Sequence, residues 1–530
     1  MSQKLPHALQ DDHPVVFNDG EKSTSSSEDR PVVSNEKAQN TLVMSYARDE
    51  WIRRKLVERE SEFMEFRNLR IFCGTFNANG KSPSRISIAR WLRGGDAQDN
   101  STSTMQDCYI CSFQEIVDLN AANVIAEGHS AKRTAQWADL IGETLNSMAG
   151  GTETKQGRGR GSTDSFEDSS MNFDESEDAR GSSIGSSSSS NINSSSGTST
   201  TSSTGAYRLV ATKYLVGIAL VAFIKAEHEP NVRNVQLQTA GVGIGGFVGN
   251  KGAAALRFTY GNSSICVVSS HLSAHRGAVA SRNSDFHNIL SKITFKDRVK
   301  DHSVHMVRDH DYVFWLGDLN YRIQTDISVE ECYRRIRSND LEYLRRNDQL
   351  NIERAAGRSF DHFNEGPLNF KPTYKYIPGE DRYDDRPDKK MRAPAWCDRV
   401  LWSCRAGNES EIVGSNGVRT KLVKLQKYQR EDSIKISDHK PVFAIFEVQV
   451  KMIVRAEQKR VYEELMRGMC VFFFFLFWAL FFSVCILSSF NLFIIYHDTG
   501  TLPYLTFINT LQNTWLLSLL LLLLLLLLLL

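Results

Sequence analysis

Val471–Tyr496 is a run of 26 residues without a charged side chain, and Leu516–Leu530 is a second apolar run made almost entirely of leucine. As a helix, 26 residues at 1.5 Å each reach about 39 Å, enough to cross a hydrocarbon layer of about 30 Å with tilt. Lys451, Arg455, Lys459, Arg460 and Arg467 come just before the first run. By the positive-inside rule such a cluster stays in the cytosol. The expected order is therefore a basic juxtamembrane segment at 451–470, a transmembrane helix at 471–496 and a second hydrophobic segment at 514–530. The folded part would then sit on a membrane and face the cytosol. The alternative for the leucine end is appended low-complexity sequence. The start of the chain has no apolar stretch suited to a cleavable secretory signal.

Two further stretches cannot build a core. Residues 1–45 are polar, and residues 151–205 hold 18 serines among glycine, threonine and acidic residues. Neither buries enough apolar surface to offset its ordering entropy, so both are expected to be disordered, the second as an insertion in a surface loop. What is left, 46–450, is enough for one large domain. Across all 530 residues, 63 Lys and Arg face 62 Asp and Glu, a net charge of +1. That balance excludes a polybasic nucleic-acid binder as a reading of the whole chain. Nine cysteines at irregular spacing form no disulfide framework and point to a reducing compartment. Cys108 and Cys111 form a CxxC with no second ligand pair, which fits a buried strand better than a metal site.

Strand patterns recur at 69–76, 107–113, 207–211, 216–225, 235–242, 253–260, 264–270, 311–316, 399–403 and 442–450. Helical spacing occurs at 45–66, 131–149, 282–295 and 328–344. Many strands with few helices between them predict an α/β domain built as a two-layer β-sandwich flanked by helices, rather than a doubly wound parallel sheet.

The glycine-rich stretch Gly241–Gly252 resembles a nucleotide loop but fails both tests. Asn250 separates Gly249 from Lys251 where a Walker loop needs Gly-Lys-Ser/Thr. No acidic residue ends a second strand about 20 residues on, as a dinucleotide site requires. Such a loop can still bring its backbone N–H groups and one lysine to a phosphate. The stronger signal is a set of polar residues at strand ends: Asn77, Asn79, Glu115, His271, Asp318, Asn320, Asp398, Asp438 and His439. Carboxylates, amides and imidazoles without clustered cysteine suit a hard cation such as Mg²⁺. A histidine beside a carboxylate suits proton transfer or charge neutralisation on a phosphate. Together these residues read as metal-assisted phosphoester hydrolysis.

The motifs Thr75-Phe-Asn-Ala-Asn-Gly80, Phe113-Gln-Glu115, Ser270-His-Leu-Ser-Ala-His275, Trp315-Leu-Gly-Asp-Leu-Asn-Tyr-Arg322, Pro394-Ala-Trp-Cys-Asp-Arg399 and Ser437-Asp-His-Lys-Pro441 resemble, in order, those of the inositol polyphosphate 5-phosphatases. The flanking residues look most like the type II branch, which includes the Lowe-syndrome phosphatase. The resemblance covers about 65–450 apart from the serine-rich insertion. It departs at about Gly468, where that branch continues into further domains and this chain turns apolar.

The resemblance implies the sandwich of DNase I and the AP endonucleases, with Mg²⁺ as cofactor. It implies that Glu115 holds the metal, with Asn79 nearby and Asp438 close to it. Asp318 would orient or deprotonate the attacking water, and Asn320 would position that water or the phosphate. His439, oriented by Asp398, would contact the scissile phosphate, and Asn77 and His271 would bind its oxygens. Tyr374, Lys375, Lys390 and Arg392 match residues that bind a neighbouring 4-phosphate, and Asn250 and Lys251, or His275, could meet the 1-phosphate side. The implied reaction removes the 5-phosphate from phosphoinositides such as PI(4,5)P2 and PI(3,4,5)P3, and from soluble inositol polyphosphates as further candidates. Expected partners are phosphoinositide lipids and a membrane, and no nucleic acid. The rival readings are a nuclease or sphingomyelinase of the same fold, and a membrane-tethered scaffold that binds phosphoinositides without turnover.

Overall fold

The computed structural model describes residues 35–83, 86–95, 105–117, 127–150, 205–243, 251–296, 303–386, 388–407, 411–413 and 419–497. Almost all of the serine-rich segment, Asn250 with most of its glycine loop, and the second apolar run lie outside them.

The first strands are β1 (Met64–Asn77), β2 (Cys108–Gln114), β3 (Tyr207–Leu215), β4 (Ile218–Lys225), β5 (Val232–Gly241), β6 (Gly252–Tyr260) and β7 (Ser263–His271). Then come the short β8 (Thr294–Lys296) and β9 (Val304–Met306), followed by β10 (Tyr312–Asp318), β11 (Asn364–Glu365) and β12 (Asp398–Cys404). The short β13 (Glu411–Val413) and β14 (Arg419–Lys421) precede β15 (Val423–Arg430) and β16 (Val442–Ile453). The helices are α1 (Asn35–Glu58), α2 (Ala89–Leu92), α3 (Glu127–Ala149), α4 (Val279–Lys292), α5 (Val329–Arg337), α6 (Leu341–Arg346), α7 (Gln349–Ala355) and α8 (Arg455–His497).

Two six-stranded sheets, ordered β15-β16-β1-β2-β4-β3 and β11-β12-β10-β7-β6-β5, form the expected sandwich. Side chains alternate between the faces of each strand. On β1, Leu69, Ile71 and Cys73 enter the inter-sheet core with Leu256, Val267, Phe314 and Val400 of the other sheet. Phe72 and Phe76 face outward into a second cluster closed by α2 and by Trp137 and Ile141 of α3. The outer face of the other sheet packs Val268 and Trp315 against Phe286 and Ile289 of α4. Cys108 faces the inner core and Cys111 the outer cluster, so the CxxC cannot converge on one ion, and all nine cysteines are free.

Besides short elements that the sequence pattern did not include, such as α2 and α7, four differences bear on the architecture. The helix expected at 328–344 is two helices, because Asn339 adopts φ 55° and the Asp340 carboxylate caps a new start by accepting from Tyr343 N. The helix expected at 282–295 ends at Lys292 and β8 follows. β15 is an unforeseen edge strand, disguised by lysines on its exposed face and by an irregular register between Leu425 and Lys427. The entry helix runs from Asn35 to Glu58 rather than from Ser45 to Phe66, so part of the segment expected to be disordered is helical. Ile218, Ala219 and Leu220 are buried in β4.

His310 offers a test of packing. It is buried against Phe295, its Nδ1 bonds Val307 O at 3.1 Å, and its Nε2 has no partner among the described residues. Burial pulls its pKa down to about 4. An unfolded histidine takes up its proton near 6.5, so the unfolded state binds more protons in between, and stability falls as pH drops from 6.5 towards 4. Between pH 7 and 5 the loss from this group should be about 2 kcal/mol. Urea unfolding of His310→Phe should show that part of the acid sensitivity removed.

Candidate active site

Six of the nine polar candidates at strand ends, five proposed as catalytic and Glu115 as a metal ligand, reach one pole of the sandwich. Asn77 ends β1, Glu115 follows β2, His271 ends β7, Asp318 ends β10, Asp398 opens β12 and His439 stands three residues before β16. Register does the rest. Asp318 pairs across the sheet with His271 on one side and with Asp398 on the other. Asn77 pairs with Gln114 in the facing sheet. A buried polar seam lies beneath them: Thr75 Oγ1 donates to Gln114 Oε1 (3.2 Å), Gln114 Nε2 to Ser112 Oγ (2.6 Å), and Ser112 Oγ meets Ser269 Oγ at 2.6 Å. That seam joins the sheets by directional bonds and so fixes the spacing of the strand ends.

The Asn77 amide spans two carboxylates. Its Nδ2 donates to Glu115 Oε1 (3.1 Å) and to Asp318 Oδ2 (3.0 Å), while its Oδ1 accepts from Asn79 N (3.0 Å). Asn79 and Glu115 both hold φ 48°, the conformation that turns the chain at each strand end. His271 Nε2 lies 3.3 Å from Asp318 Oδ2 and 3.7 Å from Glu115 Oε1, and Lys251 Nζ contacts the same nitrogen. Burial opposes a charge on Asp318, but the His271 hydrogen bond and the charges of His271, His439 and Lys251 outweigh it, so its carboxyl titrates well below the usual range. Burial lowers Lys251 to about 8 against the pull of Asp318 and Glu115.

Beside this cluster is a second. His439 Nδ1 and Asp398 Oδ2 are 2.9 Å apart, and Thr373 Oγ1 donates to the same oxygen at 2.6 Å. Burial disfavours a charged His439, yet the Asp398 carboxylate prevails and raises its pKa well above the ordinary value. Ser437 Oγ donates to Asn77 O (2.7 Å) and accepts from His439 N (3.1 Å), which locks the last loop onto β1. Asn320, at φ 56°, donates its Nδ2 to Leu272 O (3.1 Å) and accepts from Arg322 at its Oδ1. Arg322 lies over the Tyr374 ring at 4.2 Å, and that ring is 4.6 Å from the His439 ring. Thr373, Arg322 and Ser437 had no role in the sequence reading, although all three sit inside motifs that marked their neighbours, Thr373 in Pro372-Thr-Tyr-Lys-Tyr376.

The remaining candidates spread outward. Lys375 Nζ is 3.7 Å from Asp438 Oδ2, so Asp438 faces a lysine here. Lys390 and Arg392 are exposed and make no ion pair among the described residues. Lys251 and His275 line one cleft of about 740 Å³ with Ser273 and Asp285. Asn250 lies outside the described residues.

Glu115, His271 and Asp318 offer ligand atoms within 4.8 Å of one another, as do Asp318, Asp398 and His439, and neither group includes Asp438. Two carboxylates oriented by one amide, with an imidazole beside them, form a donor set that fits a divalent cation with oxygen preference.

Gly317 brings the strands close enough for this. It has φ 150°, and a Cβ there would stand 1.9 Å from Ser270 O. Gly317→Ala must push β10 off β7 between His271 and Asp318. It should cost several kcal/mol, of order 3, read by melting temperature.

Comparison with known proteins comes out consistently. The family profile described as Endonuclease/Exonuclease/phosphatase family 2 matches residues 188–445. The chain is 30% identical to the type II inositol 1,4,5-trisphosphate 5-phosphatase of Mus musculus over 83% of its own length and 36% of that protein's. It is 33% identical to the type I inositol polyphosphate 5-phosphatase 8 of Arabidopsis thaliana, over 74% of this chain and 73% of that one. Among solved structures it is similar to the inositol polyphosphate 5-phosphatase domain of SPsynaptojanin, in complex with inositol (1,4)-bisphosphate and calcium ion. The TM-score is 0.54 and the identity 28%, covering 80% of this chain and 97% of that one. The chain thus spans about a third of the mouse relative and about three quarters of the Arabidopsis one. The fold is the DNase I-like sandwich expected from the sequence.

Proposed function

The chain belongs to the inositol polyphosphate 5-phosphatase family, and from that premise we propose that it hydrolyses the 5-phosphate ester of phosphoinositides such as PI(4,5)P2 and PI(3,4,5)P3, and of soluble inositol polyphosphates. The observation that carries this reading is the convergence of Glu115, Asn77, Asp318 and His271 with the Asp398–His439 pair on one rim. Removal of the 5-phosphate from inositol 1,4,5-trisphosphate leaves inositol 1,4-bisphosphate, the molecule held by the related domain.

Glu115 would hold a divalent cation, Mg²⁺ by the hardness of the oxygen donors, with Asn79 and Asp438 as further candidates. When bound, the cation supplies positive charge to phosphoryl oxygens and favours a nucleophilic water. Asp318 is a carboxylate at working pH and a weak base, so its part is to align the attacking water by accepting its hydrogen bond. His439 stays an imidazolium against Asp398 and presents positive charge at Nε2 to the phosphate. Asn77 and His271 orient phosphoryl oxygens, and Asn320, held at both amide atoms, positions water or phosphate. Tyr374, Lys375, Lys390 and Arg392 bind the adjacent 4-phosphate, and either Asn250 and Lys251 or His275 meet the 1-phosphate side.

Within α8, Arg455–Cys485 is long enough to cross a membrane and contains an 18-residue apolar window of mean hydropathy 2.3, none of which is buried. Arg455, Lys459, Arg460 and Arg467 at its start favour a cytosolic domain.

The test is phosphate release by the full chain from inositol 1,4,5-trisphosphate and PI(4,5)P2 vesicles, with the products identified. Release should need Mg²⁺, fall at least 100-fold with EDTA and return on adding Mg²⁺. Binding of these substrates without turnover would instead establish the scaffold reading.

A further inference from the structure

The apolar helix leaves the domain at the end opposite the active site. β1 and β16 are antiparallel, with Met64 beside Ile453 at one end and Thr75 beside Val442 at the other. Asn77 and His439 belong to the second end, and α8 starts from the first, two residues after Ile453. Thirteen steps of β1 at about 3.3 Å put roughly 40 Å between the two poles.

The join is built to hold direction. Val454 N donates to Phe63 O at 2.8 Å, and the first turn of α8 continues through Gln458 N to Val454 O at 2.9 Å. Phe63 and Val461 are buried together, with Leu56 and Val57 of α1 and Leu465 of α8 packed on them. Arg59 reaches Glu464 at 2.7 Å, and Arg460 lies 3.9 Å from Glu62. The helix runs unbroken from this clamp into the apolar run, and Val471–Phe475 are exposed, with none of the apolar window packed on the domain. From Val454 to Val471 is about 25 Å of helix.

We infer that the site works in trans. It takes its inositol phosphate from the water phase or from an apposed membrane, and does not reach headgroups of the bilayer that holds α8. This rests on the phosphatase and membrane-spanning readings above. With α8 upright and continuing the line of β1, the site stands up to about 60 Å from the bilayer surface, whereas headgroups extend only about 5–8 Å beyond the hydrocarbon. The clamp between α1 and α8 prevents the domain from turning over. The shared ligand is an inositol ring with adjacent phosphates, either free or at the end of a lipid.

Full-length chain reconstituted in phosphatidylcholine vesicles tests this in three arms: PI(4,5)P2 in the same vesicles, PI(4,5)P2 in separate vesicles, and free inositol 1,4,5-trisphosphate. The free and separate-vesicle arms should turn over at least tenfold faster than the same-vesicle arm, in dilute vesicles that limit exchange between protein-bearing ones. A flexible Gly/Ser linker of about 60 residues after Gly468 has an r.m.s. span of about 40 Å. It should raise the same-vesicle rate at least tenfold and leave hydrolysis of the free substrate unchanged. A same-vesicle rate equal to or above the others, or no response to the linker, overturns the inference. Loss of all three activities refutes the phosphatase reading, and failure of the chain to float with vesicles refutes the membrane-spanning one. Either takes the inference with it, by a distinguishable route.

Discussion

Asp318→Asn should lower phosphate release by about 10³-fold under single-turnover conditions and leave the circular dichroism spectrum unchanged. The amide keeps the shape of the side chain but removes the charge that Asn77 Nδ2 and His271 face at 3.0 and 3.3 Å. Asp318 also belongs to both groups of potential metal ligands. Its loss therefore disturbs water alignment, the orientation of Asn77 and the balance of charge with Lys251 in one step. The expected pattern is a fall in kcat and kcat/KM together, because the interaction matters most where charge develops. Less than a tenfold loss would show that the chemistry does not pass through this carboxylate. Asn320→Ala should be milder, because the amide positions rather than carries charge.

The same residues show what the sequence could and could not convey. Polar side chains at the ends of apolar runs were legible, because a strand end is where a buried sheet meets water. The structure indeed gathers Asn77, Glu115, His271, Asp318, Asp398 and His439 on one rim. Their partners were not legible. The bond from Asn77 to Asp318 joins positions 241 apart in the chain, and that from Ser437 to Asn77 positions 360 apart. Only the register of β10 against β7 and β12, and of β1 against β2, creates such neighbours. Local conformation was equally hidden where one residue decides it, as at Asn339, whose φ of 55° divides an otherwise continuous helical pattern. The apolar run was plain from composition, but the pole from which it departs depends on the antiparallel pairing of β1 with β16.

Arg399→Met should destabilise the domain by about 3–5 kcal/mol, the largest effect expected for a residue that touches no substrate. Its side chain is wholly buried and pairs with Asp348 at 2.9 Å and with both oxygens of Glu365 at 2.5 and 2.6 Å. Asp348 caps α7 by accepting from Asn351 N at 3.0 Å, and Glu365 forms β11, so one guanidinium ties β12 to β11 and to α7. Methionine fills similar volume but leaves the Asp348 carboxylate buried without a counter-charge and Glu365 with only Arg354, at 3.5 Å, which is the costly half of breaking such a pair. Lysine should recover little, since a single ammonium cannot match the paired oxygens of Glu365 while reaching Asp348. Adding Glu365→Gln to Arg399→Met should restore part of the loss by removing one stranded charge. Arg399 follows Asp398 directly, so the same change should loosen the His439–Asp398 pair and lower turnover beyond what unfolding explains. Urea midpoints and phosphate release on the four proteins check both effects, and a stability change below about 1 kcal/mol in Arg399→Met would show that the buried network is dispensable.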